Sequence, residues 1–141
     1  MATREAHIDQ AKHNRNFAKQ LLQVAPEFRD WAVIAAFYAA VHYVEACFYE
    51  VPAIKHSDHR ANPHNFRKVE LAKCSSKELY LHYNLLFEAA HKARYLQSAM
   101  TRSSAVASLR LISTDAARTL IEVDLPTVQE LLEKEYHVKL A

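Results

Sequence analysis

The sequence predicts an all-α protein, a bundle of about five helices joined by short loops. The 141 residues include no glycine, whereas hairpin turns, P-loops and dinucleotide-binding loops use glycine to reach positive φ. Half of the residues are hydrophobic and about a quarter are charged, which is typical of globular rather than disordered chains. Helix-forming residues are abundant. The length suits a single domain over residues 1–141.

The first two helices are predicted from a cap, a proline and an apolar run. Thr3 can cap a helix that reaches about Val24, because apolar residues recur there every three or four positions. Pro26 suits the first position of the second helix. Over residues 31–48 that helix is apolar on nearly all sides, but His42 interrupts the run. A central helix covered by its neighbours is therefore expected rather than a membrane span.

Two further helices are predicted from their first residues. Asn62 and Pro63 suit the N-cap and first position of a third helix, which reaches about Lys73. Ser75 and Glu78 form a capping box for the fourth helix.

A last helix is predicted near the end of the chain. Thr114 can cap it, and it extends to about Tyr136 with a kink or break near Leu125 and Pro126, since proline cannot donate a backbone hydrogen bond. The stretch between the fourth and last helices is polar and shows no clear period.

Charge, cysteines and the N-terminal residues limit the classes of partner and location. The formal net charge of +2 does not imply a polyanionic partner, although a local basic patch is compatible with it. Cys47 and Cys74 have no CxxC spacing and are expected to be reduced. The first ten residues lack an apolar core and a cleavage signal, so we expect a cytoplasmic protein without a membrane segment.

The stretch HSDHRANPH, residues 56–64, holds three of the nine histidines and one arginine. Its histidine spacings fit no standard zinc pattern, so no metal and no cofactor is expected. His59 and Arg60 stand at a helix entrance, where an imidazole and a guanidinium can serve proton transfer and phosphate binding. Alternatively the stretch is a local turn with solvated imidazoles, which is what we expect of His56 and His64.

The second and third helices contain further candidates. His42 has Tyr38 and Glu45 on the same helix face, so it could belong to a hydrogen-bonded core network or line a cleft. The basic run that includes Arg67 and Lys68 is typical of a solvated helix face, and it could also follow a phosphate backbone.

Three segments form an ordered set: FYAAVHYVEA at 37–46, HSDHR at 56–60 and LFEAAHKARYL at 86–96. In order and spacing they resemble the second helix, the loop before the third helix and the fourth helix of the HEPN family. These are small helical domains named for higher eukaryotes and prokaryotes nucleotide-binding. The resemblance covers residues 26–96, about half of the chain.

The resemblance implies an up-and-down antiparallel bundle, usually a homodimer, often in a bacterial toxin or defence system. Active members of the family cut RNA without metal, with an arginine and a histidine at a set spacing that are paired across the dimer. Arg60 and His64 have only three residues between them and include Pro63. A ribonuclease built on this sequence would therefore have a non-standard site.

Antiparallel geometry brings distant candidates together. His91, Arg94 and Tyr95 end the fourth helix, and this end would lie at the same pole as the start of the third helix. Arg94 would therefore approach His59 and Arg60, and two arginines and two histidines would face one cleft. Cations at a helix C-terminus also complement the helix dipole, which is a structural reason for Arg94 to be there.

The expected function is binding of RNA or a nucleotide, with metal-independent RNA cleavage as a further activity. The alternative is a non-catalytic interaction module that partners a nucleotidyltransferase, a toxin or an antitoxin. An apolar flank left open on the second helix would mark the interface of a homodimer. The expected catalytic residues are His59, Arg60 and His42, and the expected RNA- or nucleotide-binding residues are Arg60, Arg94, Tyr95 and Tyr38.

Overall fold

A computed structural model of the protein describes residues 2–54, 61–99 and 112–141, and of residues 95–99 the helical backbone only. In these ranges the chain is helical and contains no strand, which confirms the predicted all-α bundle. The elements are α1 (Arg4–Val24), a 3-10 turn (Pro26–Phe28), α2 (Arg29–Phe48), α3 (Pro63–Cys74), α4 (Lys77–Ala99), α5 (Thr114–Thr119), a π-helical turn (Leu120–Asp124) and α6 (Leu125–Tyr136).

The second helix, α2, is the centre of the bundle, with α1, α4 and α6 packed around it. Among the described residues, Pro26–Phe48 is the one helical stretch long and apolar enough to cross a membrane, and 72% of its apolar 18-residue window is buried inside the bundle. Cover by neighbouring helices accounts for its apolar composition, as the sequence predicts. Of the apolar stretch 31–48, Trp31 at its start is 59% exposed, and residues 32–48 are buried or partly buried.

Small side chains allow α1 and α2 to pack closely. Ala11 and Ala18 of α1 are fully buried, as are Ala36 and Ala40 of α2. Helices that meet through alanines can bring their axes nearer than helices that meet through large side chains. This pairing fixes α2 in the core, from which Glu45 reaches α3 and Tyr38 reaches α4.

Four helix starts show how well caps are predicted from the sequence. Thr3 accepts a hydrogen bond from the backbone of Ala6, and Asn62 caps α3 through the backbone of Asn65, both as predicted. The other two caps each lie one residue from the predicted position. Ser76, not Ser75, caps α4, and Ser113, not Thr114, caps α5. Ser75 instead bonds the hydroxyl of Tyr136.

The predicted kink near Pro126 takes the form of a π-helical turn at Leu120–Asp124, directly before α6. Proline has no N–H to donate to the preceding turn, and a wider turn makes room for its ring. Thr127 Oγ1 donates to the carbonyl of Val123 at 2.7 Å, which bonds one carbonyl of this turn. The helix therefore widens at the proline and continues to Tyr136.

Candidate functional site

A buried ion pair joins α3 to α2. Arg67 Nη1 donates to Glu45 Oε1 at 2.6 Å, and each side chain is only 4% exposed. The prediction that Arg67 lies on a solvated helix face is wrong. Arg67 shares the inward face of α3 with the buried Leu71, four residues later. A charge in this position needs a partner in the interior, and Glu45 provides it.

His64, at the start of α3, is held by the same arginine. Arg67 Nη2 lies 2.8 Å from His64 Nδ1. Because a guanidinium can only donate, Nδ1 is the acceptor and a neutral ring must bear its proton on Nε2. Burial, followed by the positive charges of Arg67 and Arg94, lowers the pKa of His64 to about 4. The expectation that His64 is a solvated imidazole is wrong, and at neutral pH its ring is an uncharged N–H donor.

Arg94, near the end of α4, lies against two aromatic rings of α2. Its Nη1 donates to the Tyr38 hydroxyl at 2.6 Å, and its guanidinium carbon is 5.5 Å from the Tyr38 ring centre and 5.6 Å from that of Phe37. The Tyr38 ring in turn lies 6.0 Å from the His64 ring. The end of α4 therefore meets the start of α3, as antiparallel geometry predicts.

These contacts define a group that we call the α2–α3–α4 cluster: Tyr38, Glu45, His64, Arg67 and Arg94. Three helices contribute to it. Glu45 and Arg67 are bonded although they are 22 residues apart in the sequence, and Tyr38 and Arg94 although they are 56 residues apart. Its charges belong to two guanidiniums and one carboxylate. Arg67 and Glu45 are buried, whereas Tyr38, His64 and Arg94 are partly exposed. The cluster can therefore meet a ligand through His64, Arg94 and Tyr38.

An aromatic pair extends the cluster along α4. Phe87 packs 6.4 Å from His64, and on the next turn the His91 ring stacks on Phe87 at an interplanar angle of 10° and a centroid distance of 6.1 Å. Lys68 of α3 places its ammonium nitrogen 4.2 Å from the Phe87 ring centre, which is cation–π distance.

His42 forms a hydrogen bond with His7 of α1. Their Nδ1 atoms are 3.0 Å apart and their ring centres 5.3 Å apart. The second distance exceeds the first by nearly two ring radii, so the rings meet end on, with one nitrogen donating and the other accepting. His42 thus belongs to a hydrogen-bonded contact between α1 and α2.

The remaining predicted residues cannot be compared with the structure. His56, His59 and Arg60 lie outside the described residues, and Tyr95 is described only as part of the α4 backbone. Among the residues that the structure describes, no three His, Cys, Asp or Glu side chains are grouped as metal ligands.

Burial makes two nucleophile candidates unreactive. Burial raises the pKa of the Cys47 thiol to about 12, and it raises the pKa of the Tyr83 hydroxyl, next to Arg67, to about 12 as well. Both groups stay protonated at neutral pH, and a protonated thiol is a poor nucleophile.

Sequence reasoning missed Arg67 and His64 as members of the cluster. The signal that could have found them is their spacing to Leu71: positions 64, 67 and 71 fall on one stripe of a helix. A basic residue on the stripe of a buried leucine is a candidate for an internal ion pair. Glu45 was noted as a neighbour of His42, and its ion pair is with Arg67.

Comparison of the chain with protein-family models, curated proteins and solved structures found no match.

Replacing Arg67 by alanine should lower the free energy of unfolding by about 3–5 kcal/mol, because the buried Glu45 would lose its ion pair. The measurement is urea unfolding at pH 7. Arg118→Ala is the control: its ion pair with Asp115 is exposed at the surface, so its loss should cost less than about 1 kcal/mol. Equal losses in the two variants would contradict the assigned role of the buried pair.

The titration of His64 should make the protein less stable as the pH is lowered. The unfolded chain takes up a proton near the ordinary pKa of 6.5, whereas the folded ring does so only near pH 4. Unfolding therefore binds a proton between these values, and the free energy of unfolding decreases as the pH falls from 6.5 towards 4. His64→Asn keeps an acceptor for Arg67 and does not titrate. Urea unfolding between pH 4.5 and 7.5 should show a shallower slope for this variant, and identical slopes would contradict the assignment.

Proposed function

We propose that the protein binds RNA or a nucleotide through a phosphate held at the α2–α3–α4 cluster. The observation that supports this most directly is the position of His64, which bonds to Arg67 and packs against Tyr38, the ring that Arg94 also contacts. Burial lowers the pKa of His64, and the positive charges of Arg67 and Arg94 lower it further. A phosphate would gain from the same potential that a proton on His64 avoids.

The partly exposed side chains have complementary roles in this proposal. Arg94 is the phosphate anchor, since a planar guanidinium can bond two oxygens at once. His64 offers its Nε2–H to a further oxygen. Arg67 is too buried to touch a ligand, so it positions His64 and fixes the tautomer.

The same chemistry favours binding over cleavage at His64. A general base needs a free lone pair, and here Nδ1 already accepts from Arg67 while Nε2 bears the proton. Ribonuclease activity would have to use other groups, such as His42 or the residues 55–60. Incubation of the protein with RNA and a chelator tests this activity, and cleavage that His42→Ala diminishes would support it.

Arg94→Ala should weaken binding of a short unstructured RNA by about 10- to 150-fold, the effect of losing a charge-assisted hydrogen bond of about 1.5–3 kcal/mol. Arg94→Lys should retain part of the affinity, because an ammonium keeps the charge and loses the planar fork. The measurement is fluorescence anisotropy of labelled RNA at a fixed, low salt concentration. Arg118→Ala removes an exposed arginine paired with Asp115 and should bind like the parent protein.

Parent protein that binds neither RNA nor a nucleotide would overturn the proposal. So would Arg94→Ala protein that melts at the parent temperature and binds RNA with parent affinity. A variant that loses binding only because it unfolds would show a lowered melting temperature, and Arg94→Lys then serves as the folded comparison.

We also propose that the protein is a homodimer, which suits the alternative function of an interaction module as well. The support is on α4: Leu81 and Leu85, one helical turn apart, are 54% and 44% exposed. A two-fold axis would let this stripe meet its own copy. Light scattering should give a dimer mass at micromolar concentration, and Leu85→Lys should give a monomer. A monomer mass for the parent protein would contradict the proposal.

A further inference from the structure

Phe87 and His91 form a flat aromatic pair beside the phosphate contacts. Their rings are nearly parallel, at 10°. Phe87 is partly buried and its ring centre lies 5.6 Å from that of Phe37 in the core, so packing against Phe37 holds the Phe87 ring in place. His91 is exposed at the surface. An exposed ring that is stacked on an anchored ring is partly ordered before a ligand arrives, so less side-chain freedom is lost on binding.

The pair lies within reach of a ligand at Arg94. His91 and Arg94 are three residues apart on α4, so their Cβ atoms are about 5–6 Å apart on the same face of the helix. Arg94 is hydrogen-bonded to Tyr38, and the His64 ring contacts the Phe87 ring. A single nucleotide with its phosphate at Arg94 could place its base against His91.

We propose that Phe87 and His91 are a stacking subsite for a nucleobase, next to the phosphate contacts of Arg94 and His64. This inference rests on the proposed phosphate binding and adds the ligand class: a nucleotide, free or in a single strand, with its base unstacked from a neighbour. Stacking on an aromatic side chain tolerates any base, because every base has a π-face. Lys68, above Phe87, adds a positive charge near the bound nucleotide.

The subsite can be tested apart from the phosphate contacts with two small ligands. AMP carries a base and ribose 5-phosphate does not, and both can be titrated into the protein by NMR. His91→Ala should weaken AMP binding by about 5- to 150-fold, which is the ~1–3 kcal/mol of one stacked base converted at 1.4 kcal/mol per tenfold. It should leave ribose 5-phosphate binding unchanged. His91→Tyr keeps a ring and should retain AMP binding, whereas Arg94→Ala should weaken both ligands.

The outcomes separate this subsite from the proposed function. His91→Ala protein that binds AMP as the parent does, or loses AMP and ribose 5-phosphate equally, would overturn the stacking subsite while leaving phosphate binding intact. His91→Tyr protein as weak as His91→Ala would also overturn it. Parent protein that binds neither ligand would overturn both proposals.

A third arm identifies the source of the nucleotide. Hexa-adenylate bound more than about tenfold tighter than AMP would indicate contacts beyond one nucleotide, and therefore RNA. Equal affinities would indicate a free nucleotide. Each of these results supports the subsite, provided that His91→Ala weakens both ligands.

Discussion

Neither Glu45 nor Arg67 can remain in the interior alone, because each side chain bears a charge and is 4% exposed. Their bond therefore sets the position of α3 against α2, because a register that separated them would break the ion pair of two buried charges. The arginine has a second nitrogen, and the first bond fixes its direction, so Nη2 meets His64 at 2.8 Å. One ion pair thus determines both the packing of a helix and the protonation state of a neighbouring ring.

The ion pair affects function because it helps to set the protonation state of His64. His64 is neutral at physiological pH because burial removes water from its ring and lowers its pKa, and because the charges of Arg67 and Arg94 lower the pKa further. An uncharged ring that donates from Nε2 suits the recognition of an oxyanion, and it is a poor acceptor of a substrate proton. Binding a phosphate would offset the positive potential at the ring, so ligand affinity and the pKa of His64 are linked: the ligand should raise this pKa.

The helices could be predicted because their starts depend on neighbouring residues. Thr3 and Asn62 cap the helices that follow them, and Pro126 disturbs the helix at the predicted place. The caps at Ser76 and Ser113 each differ from the prediction by one residue. Adjacent hydroxyl residues are equivalent in local sequence, and at the start of α4 a distant partner distinguishes them: Ser75 bonds to Tyr136, which is 61 residues away.

The side chains of the site could be predicted from the sequence only in part. The approach of Arg94 to the start of α3 could be predicted because it requires only the order and direction of two helices. The inward orientation of Arg67 could not, because helical spacing shows which residues share a face and not whether that face is buried. A polar residue is expected to face water unless the protein interior provides a hydrogen-bonding or charged partner for it. Glu45 is that partner, 22 residues earlier on another helix. It is itself a single charged residue within the apolar sequence of α2. Each residue of the pair looks misplaced when considered alone, so an internal charge in an apolar helix should be examined together with any basic residue on the stripe of a buried leucine.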